Sequence, residues 1–280
     1  MINGFYLINK KAGVTSSWVT QEVKRKFGYK KVGHLGTLDP MAQGLLILAV
    51  NRATKFSSLF LDSNKSYEAE ITLGIQTNTN DAEGEVISRS RVTSSEDEIK
   101  RGILSFLGES MQVPPVYSAL KFKGKPLYKH AREGNKIHKE ARVITIYKID
   151  QIDISLPIIS LRIECSKGTY IRSIARDLGN KLNCGAYLSN LKRVSQHNFD
   201  IQSAKVIEDL SEDDLISLEE PFTYLDSIQL SEVHFQPFIN GVGVDIDIQN
   251  DDLIRVFGPD GVFVAIGKKT SHGFKHEYLV

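Results

Sequence analysis

Short blocks of alternating hydrophobic and polar positions run along most of the chain and predict both strands and helices. The alternation at 66–74 is typical of a half-buried strand, and the continuous apolar run at 45–50 is typical of a buried one. Strands are predicted at 5–10, 45–50, 66–74, 142–154 and 158–166, and helices at 16–28, 94–108 and 168–183. These elements alternate without a regular crossover period, so we expect an α+β fold with a mixed or antiparallel sheet.

Helix boundaries are marked by capping residues. Ser95 and Glu98 have the spacing of a capping box at the start of the helix at 94–108. The helix at 16–28 is expected to begin at a serine N-cap, to carry the apolar residues Trp18, Val19, Val23 and Phe27, and to end at Gly28.

The composition changes after residue 200 and indicates a second structural unit. Acidic short helices are expected there, and LIRVFGPDGVFVAIGKK is typical of a β-hairpin around GPDG. We therefore predict a large domain over 1–228 and a small β module over 229–280.

The net charge of +1 conceals a strong asymmetry along the chain. Residues 1–200 carry 30 Lys and Arg against 19 Asp and Glu, whereas residues 201–280 carry 5 against 15. A basic body suits a phosphate backbone, because each neutralised phosphate releases a counterion. Solvated helix faces are the alternative explanation for these lysines.

Several classes of protein and site are not expected. No apolar run approaches the roughly 18 residues of a membrane span, and the N-terminus lacks a signal-peptide pattern, so we expect a cytoplasmic protein. Cys165 and Cys184 have neither CxxC spacing nor nearby histidines, which predicts reduced, packed thiols and no metal.

The stretch GHLGTLDPMAQG at 33–44 is the strongest candidate for chemistry. It is a loop rich in turn-forming residues that leads into the apolar run at 45–50 and carries one carboxylate, Asp39. An aspartate in such a loop either caps its own turn or is a reactive carboxylate at the mouth of a pocket. The loop sequence alone leaves both interpretations open.

Four sequence blocks in order resemble the TruB family of tRNA pseudouridine synthases. The loop sequence GHLGTLDPMAQGLL resembles the family's GHTGTLDPxATGLL, and NKKAGVTSS resembles its DKPxGxTS segment. The segments KSYEAEITLGIQTNTNDAEG and CSKGTYIRSIARDLG resemble its tyrosine strand and arginine helix, and CGAYLSNLKR is similar to the segment that follows. Together these blocks cover most of residues 5–195.

The resemblance implies that the chain isomerises uridine to pseudouridine at position 55 in the T-loop of tRNAs, without a cofactor. Asp39 is implied to be the essential carboxylate, which either attacks C1′ of the ribose or removes a proton from C2′. The residues do not choose between these two routes. The resemblance also implies a pseudouridine synthase catalytic domain followed by a reduced PUA-type RNA-binding module.

The family pattern also assigns roles to the other candidate site residues. Arg172 is implied to pair with Asp39 and to favour its charged form. Tyr67 is implied to stack on the target base and to help to remove the C5 proton. Taken without the family pattern, Arg172 reads as a surface arginine of a helix and Tyr67 as a core tyrosine of a strand.

Four further residues are implied to bind the substrate. Tyr170 and Leu191 resemble pocket-lining residues, His34 resembles the wedge that stacks where flipped bases were, and Lys10 is expected to support the tyrosine pocket. Extrusion of a uridine costs a few kcal/mol of stacking and pairing, which explains why such a wedge is needed.

The sequence departs from the family pattern at several positions. Leu35 and Gln43 stand where threonines are usual, Asn78 stands where an aspartate is common, and Asn9 and Lys11 flank Lys10 in place of Asp and Pro. These changes concern hydrogen bonding within the loops.

The T-arm of tRNA is the expected partner, with the chain acting as a monomer and without a protein partner. A tRNA-folding chaperone without chemistry, and a synthase that acts on another RNA, are the alternatives. The intact set of Asp39, Tyr67 and Arg172 argues against a purely non-catalytic protein.

Overall fold

A mixed nine-stranded sheet forms the centre of the fold in the computed structural model, which describes residues 2–246, 248 and 252–280. In chain order the strands are β1 (Gly4–Lys10), β2 (Val32–His34), β3 (Gln43–Val50), β4 (Lys65–Leu73), β5 (Ile75–Thr77), β6 (Val86–Arg89), β7 (Gly108–Gln112), β8 (Lys121–Phe122), β9 (Lys125–Pro126), β10 (Arg142–Ser155), β11 (Ile158–Cys165), β12 (Ala186–Gln196), β13 (Phe199–Asp200), β14 (Ser227–Gln229), β15 (Ile254–Phe257), β16 (Phe263–Thr270) and β17 (Gly273–Leu279). The α-helices are α1 (Ser16–Phe27), α2 (Ser57–Leu61), α3 (Glu96–Leu104), α4 (Leu127–Arg132), α5 (Ile171–Lys181) and α6 (Glu232–Ile239).

The strand order of the large sheet is β1-β3-β12-β4-β11-β10-β7, with β2 paired to β3 and β13 paired to β12. Strands β12 and β3 run parallel, whereas the other pairs in this sheet are antiparallel. The predicted α+β fold with a mixed sheet is therefore confirmed. The long strand β12, for which the sequence patterns gave no prediction, lies at the centre of this sheet between β3 and β4.

The two faces of the sheet are covered by different parts of the chain. Along β1, Tyr6 and Ile8 belong to the apolar core that α1, α3 and α5 cover, whereas Phe5 and Leu7 point into a second core. This second core is rich in phenylalanine and receives residues 51–61 and part of the C-terminal chain. The alternation along one strand thus divides the hydrophobic interior in two, as the two-residue period of a strand requires.

A second sheet, of order β14-β15-β16-β17, follows in the C-terminal part of the chain. Strands β15 and β16 form the predicted antiparallel hairpin. Strand β14 already belongs to this sheet, so the predicted boundary after residue 228 falls within a strand. The division into 1–228 and 229–280 stays a prediction.

The C-terminal sheet is joined to the 51–61 segment of the body. Arg52 and Lys55 donate hydrogen bonds to the carbonyls of Val280 and Leu279, at 3.2 and 3.1 Å. The rings of Phe56 and Tyr278 stack with their centroids 5.8 Å apart.

Helix boundaries differ from the predicted ones by a few residues. The capping box of Ser95 and Glu98 is present, but α3 already ends at Leu104. The N-cap of α1 is Thr15, not a serine, and its hydroxyl accepts a hydrogen bond from the Trp18 N–H at 3.0 Å. Among the apolar residues of α1, Val19 and Val23 are buried, whereas Trp18 is 47% exposed.

Both cysteines are buried free thiols, as expected from their spacing. Among the described residues, no helix is long and apolar enough to cross a membrane.

Candidate active site

The loop that carries Asp39 connects β2 to β3 and is fixed on both sides. The buried hydroxyl of Ser16 accepts a hydrogen bond from the Leu38 N–H at 2.9 Å and donates one to the Leu38 carbonyl at 3.0 Å. At the end of the loop, Gly44 has a φ of +100°, and a Cβ there would lie 2.3 Å from the carbonyl oxygen of Arg193. The glycine therefore permits both the left-handed turn and the close approach of β12. The loop therefore holds Asp39 in a fixed position.

Asp39 forms an ion pair with Arg172, and thereby joins residues that are 133 positions apart in sequence. Arg172 lies in the first turn of α5, and its Nη2 donates to Asp39 Oδ1 at 3.2 Å. The Nε atom is 2.9 Å from Asp39 Oδ2, an ion-pair distance without the alignment of a hydrogen bond. The predicted partnership is thus present, and the carboxylate faces Arg172 instead of capping its own turn. The Arg172 side chain is only 5% exposed and that of Asp39 is 32% exposed, so the pair opens to solvent on the Asp39 side.

A second carboxylate, Asp81, holds Arg172 from the opposite side. Its Oδ2 lies 3.2 Å from Arg172 Nη1, and it is buried in the loop after β5. The guanidinium also donates to the carbonyls of Tyr117 at 2.8 Å and Thr79 at 3.4 Å. Fixed by these contacts, the guanidinium presents one edge to Asp39. Asp81 was not assigned a role from the sequence, although it lies in the block KSYEAEITLGIQTNTNDAEG that resembles the tyrosine strand of the family.

The electrostatic balance at Asp39 results from opposing effects. Burial raises the pKa of Asp39, and the negative charge of Asp81 raises it further, whereas Arg172 and Lys10 lower it. The expected help from Arg172 is present, but burial is the largest effect. Glu83, in the same loop as Asp81, has a raised pKa because of burial and the charges of Asp81 and Asp39.

The Lys10 ammonium is bonded to the loop that carries Asp39. Its ammonium donates to the carbonyls of Lys11 at 3.0 Å, Val14 at 2.7 Å and Pro40 at 3.2 Å. These three bonds use all three of its protons and hold the ammonium beside the Asp39 loop, while the expected support of the tyrosine pocket stays a prediction. Burial lowers the pKa of Lys10 to about 8, opposed by the charges of Asp39 and Glu83.

Tyr67 and Leu191 lie on the neighbouring strands β4 and β12, where Leu191 pairs with Ala69 and Tyr67 pairs with Arg193. Both predicted residues are buried. Burial raises the pKa of Tyr67 to about 12, and the Arg193 guanidinium beside its hydroxyl opposes that rise.

Arg193 is the second functional candidate that sequence reasoning missed. It is only 1% exposed, and it donates to the carbonyl of Leu45 at 2.7 Å and to that of Gly36 at 3.0 Å. One buried cation thus connects both ends of the Asp39 loop to Tyr67. A polar strand segment such as NLKRVSQ gives no periodicity from which a buried arginine could be recognised.

His34 and Tyr170 occupy the ends of two elements near this group. His34 is the last residue of β2, half-buried, and its Nδ1 is buried without a hydrogen-bond partner in the described part of the chain. Burial and the charge of Arg193 lower the pKa of His34, which favours a neutral ring. Tyr170 lies directly before α5, and the Arg142 guanidinium lies 4.9 Å from the centroid of its ring.

Two of the departures from the family pattern, Asn78 and Leu35, have defined contacts in the structure. The Asn78 side-chain oxygen accepts a hydrogen bond from the Glu85 N–H at 3.1 Å, a role that a carboxylate oxygen fills equally well. Leu35 is buried in the second core. In the described residues, no group of three or more His, Cys, Asp or Glu side chains is arranged to hold a metal ion.

Comparison of the sequence with known proteins identifies its family. The family model described as TruB family pseudouridylate synthase (N terminal domain) matches residues 24–171. The tRNA pseudouridine synthase B of Clostridium acetobutylicum is 41% identical to the chain, with 98% of both proteins covered. The chain belongs to the TruB family. The corresponding protein of Clostridium novyi is 40% identical over the full length of both, and that of Alkaliphilus oremlandii is 43% identical over 86% of this chain and 82% of its own.

Solved structures share the TruB fold at low sequence identity. The structure titled H/ACA RNP bound to a substrate RNA containing 2'-deoxyuridine has a TM-score of 0.73 and 21% identity, and covers 99% of this chain and 84% of its own. A Cbf5-Nop10-Gar1 complex has a TM-score of 0.73 and 23% identity, with the same coverage. These matches extend over the C-terminal sheet as well as the TruB catalytic body.

Arg193→Met is expected to slow the TruB reaction by about 100-fold, because Tyr67 loses the charge beside its hydroxyl and the Asp39 loop loses two donors. If Tyr67 assists removal of the C5 proton, that step should become rate-limiting. The measurement compares single-turnover rates on tRNA with hydrogen or deuterium at uridine C5, and we expect a larger isotope effect in the variant. Lys192→Met, which removes the neighbouring half-exposed cation, is the control and should retain the wild-type isotope effect. An unchanged rate in Arg193→Met would contradict this role.

Proposed function

We propose that this chain converts uridine to pseudouridine in the T-loop of tRNA. The observation that carries the proposal is the Arg172–Asp39 ion pair, in which a buried guanidinium fixes a partly exposed carboxylate on a rigid loop. Family membership and the name of the relatives, tRNA pseudouridine synthase B, support the same reaction and substrate.

The reaction rearranges bonds within one nucleotide. The N1–C1′ bond breaks, the base rotates and a C5–C1′ bond forms, while C5 loses a proton and N1 gains one. Atoms therefore balance without a cofactor. Asp39 is the group that acts at the ribose, either by attack on C1′ or by removal of a proton from C2′, and Arg172 keeps it directed and charged. Both routes need the ionised carboxylate.

Tyr67 and Leu191 form one wall of the site for the extruded base, since their strands are adjacent and both side chains are buried beside each other. A tyrosine ring stacks on a flipped base, and an apolar wall excludes water from it. We assign to His34 the role of filling the space in the RNA stack that the extruded uridine leaves. A neutral imidazole ring can stack there without a charge being removed from water. Tyr170 contributes a second aromatic surface at the start of α5.

The segment 113–141 is the main candidate for RNA contact outside the reaction centre. It leaves the sheet between β7 and β10 and carries seven Lys or Arg against two Glu. The ammonium groups of Lys123 and Lys139 lie 5.6 and 5.4 Å from the ring centroid of Phe122. Cations and aromatic rings together are the groups that bind phosphates and unstacked bases.

The C-terminal part contributes less to affinity, because residues 201–253 carry 13 acidic side chains and one basic one. The proposed enzyme works as a monomer in the cytoplasm, where its tRNA substrate is found.

The deciding experiment is tritium release from an unmodified tRNA transcript labelled at uridine C5. We expect stoichiometric release from one T-loop uridine, and none from a matched transcript whose T-loop sequence is scrambled. Tight binding without release would instead favour a tRNA-folding chaperone. Release from the scrambled transcript would favour a synthase with another RNA target.

A further inference from the structure

Gln112 is a buried amide that the proposed chemistry does not use. It is the last residue of β7, at the edge of the large sheet, and only 2% of its surface is exposed. The segment 113–141 begins directly after it. A buried amide needs partners for both its donor and its acceptor, so its contacts indicate what it holds in place.

Both ends of the amide bind the main chain of one residue, Tyr170. Gln112 Oε1 accepts from the Tyr170 N–H at 2.8 Å, and Gln112 Nε2 donates to the Tyr170 carbonyl at 3.1 Å. Tyr170 is the N-cap of α5, so this pair of bonds fixes the position and direction at which the helix begins. Arg172 follows two residues later.

The residues after Gln112 bind the same helix turn. Val113 O accepts from Ser173 Oγ at 3.0 Å, and Tyr117 O accepts from Arg172 Nη2 at 2.8 Å. The chain that leads into the basic segment is thus bonded to the first turn of α5 at its start and again at the catalytic arginine. Gln112 is the contact that fixes the main chain of this turn.

We propose that Gln112 is a positioning residue that sets the start of α5 and thereby aligns the Arg172 guanidinium with Asp39. The proposal rests on the isomerase function proposed above. Because α5 carries Arg172 in its first turn, a tilt at Tyr170 moves the guanidinium directly. A displacement of about 1 Å in such a group can lower a rate about 100-fold.

The alignment has a direct electrostatic consequence at Asp39. The titratable groups that face this carboxylate are Arg172 from α5, Asp81 and Glu83 from the loop after β5, Lys10 from β1 and Tyr67 from β4. Of these, Arg172 is the one whose position depends on the start of α5. A misplaced Arg172 leaves burial and the neighbouring acids less opposed, so the pKa of Asp39 rises.

The first test is a carbon-13 NMR titration of the Asp39 carboxyl in the full-length protein, assigned with Asp39→Asn. We expect Gln112→Met to shift the Asp39 titration to higher pH and to slow single-turnover isomerisation about 10- to 100-fold, with tRNA affinity within a few fold. The titration needs no activity, so it tests Gln112 even if tritium release shows that the proposed function is wrong.

Two further variants separate positioning from general loosening. Gln112→Glu keeps the acceptor for the Tyr170 N–H, but Arg142, which pairs with position 112 across the sheet, favours an ionised glutamate that cannot donate to the Tyr170 carbonyl, so this variant should recover part of the rate lost in Gln112→Met. Ser173→Ala removes a buried hydrogen bond between the same two segments without touching Tyr170, and should lower thermal stability without moving the titration. A wild-type titration in Gln112→Met, or an equal shift in Ser173→Ala, would overturn the proposal.

Discussion

Asp39→Asn is expected to abolish pseudouridine formation while tRNA affinity stays within a few fold of wild type. Asparagine keeps the size of the side chain and accepts a hydrogen bond from Arg172, but it neither attacks C1′ nor removes a proton from C2′. Loss of an essential reacting side chain typically lowers the rate of an enzyme by about 10⁴-fold or more. The measurement is tritium release from C5-labelled tRNA under single-turnover conditions, with binding measured on the same transcript.

The matched control for Asp39→Asn is Asp62→Asn, which neutralises an exposed aspartate in a surface ion pair with Lys167. It should retain the wild-type rate, since exposed pairs contribute little to stability. If Asp39→Asn still released tritium at a comparable rate, the assignment of Asp39 would be wrong, whereas a loss of tRNA binding would indicate that the loop had lost its structure.

Arg172→Met is expected to lower the rate by about 10³-fold and to move the acidic limb of the pH–rate profile to higher pH. Without the guanidinium, Asp39 and Asp81 are two carboxylates that no shared cation separates, and the pKa of Asp39, already raised by burial, rises further. Activity requires the ionised carboxylate, so it is lost as the pH falls through that pKa. A raised pKa therefore means loss at higher pH. The measurement is the single-turnover rate as a function of pH.

Arg176→Met is the control for this prediction, because Arg176 lies one turn further along α5, where it pairs with the partly buried Asp177 and donates to the Val113 carbonyl but does not contact Asp39. Its pH profile should match that of the wild type. Asp81→Asn should shift the acidic limb of the profile in the opposite direction, to lower pH, because removal of the Asp81 charge lowers the pKa of Asp39. The rate itself should fall, because Arg172 is held less firmly. An unchanged acidic limb in Arg172→Met would show that Arg172 does not control the ionisation of Asp39.

The local elements were predictable from the sequence because their signals are local. The capping box at Ser95 marks the start of α3, and the apolar run at 45–50 marks β3, since each depends on a few neighbouring residues. Strand β12 was missed because it buries Arg193 and Gln196, and its polar composition breaks the alternation expected of a strand.

For the site, the sequence identified residue types by their likeness to a family but not their partners. The expected pairing of Arg172 with Asp39 is present, whereas the roles expected of Tyr67 and Lys10 stay predictions. Asp81 and Gln112 carried no signal, since an aspartate in a polar loop and a glutamine at a strand end are ordinary in composition. Their contacts span 91 and 58 positions of the chain, respectively.

By itself, the sequence thus determined the class of fold and most of its helix and strand segments, because these follow from periodicity and capping, and its likeness to a family named Asp39 as the candidate carboxylate. The tertiary structure alone decided that Arg172 lies between Asp39 and Asp81, that Arg193 joins the ends of the loop to Tyr67, and that Gln112 fixes the start of α5. The physical reason is that the strength of an ion pair or a buried hydrogen bond depends on distance and burial, and strand order sets both for residues far apart in the chain.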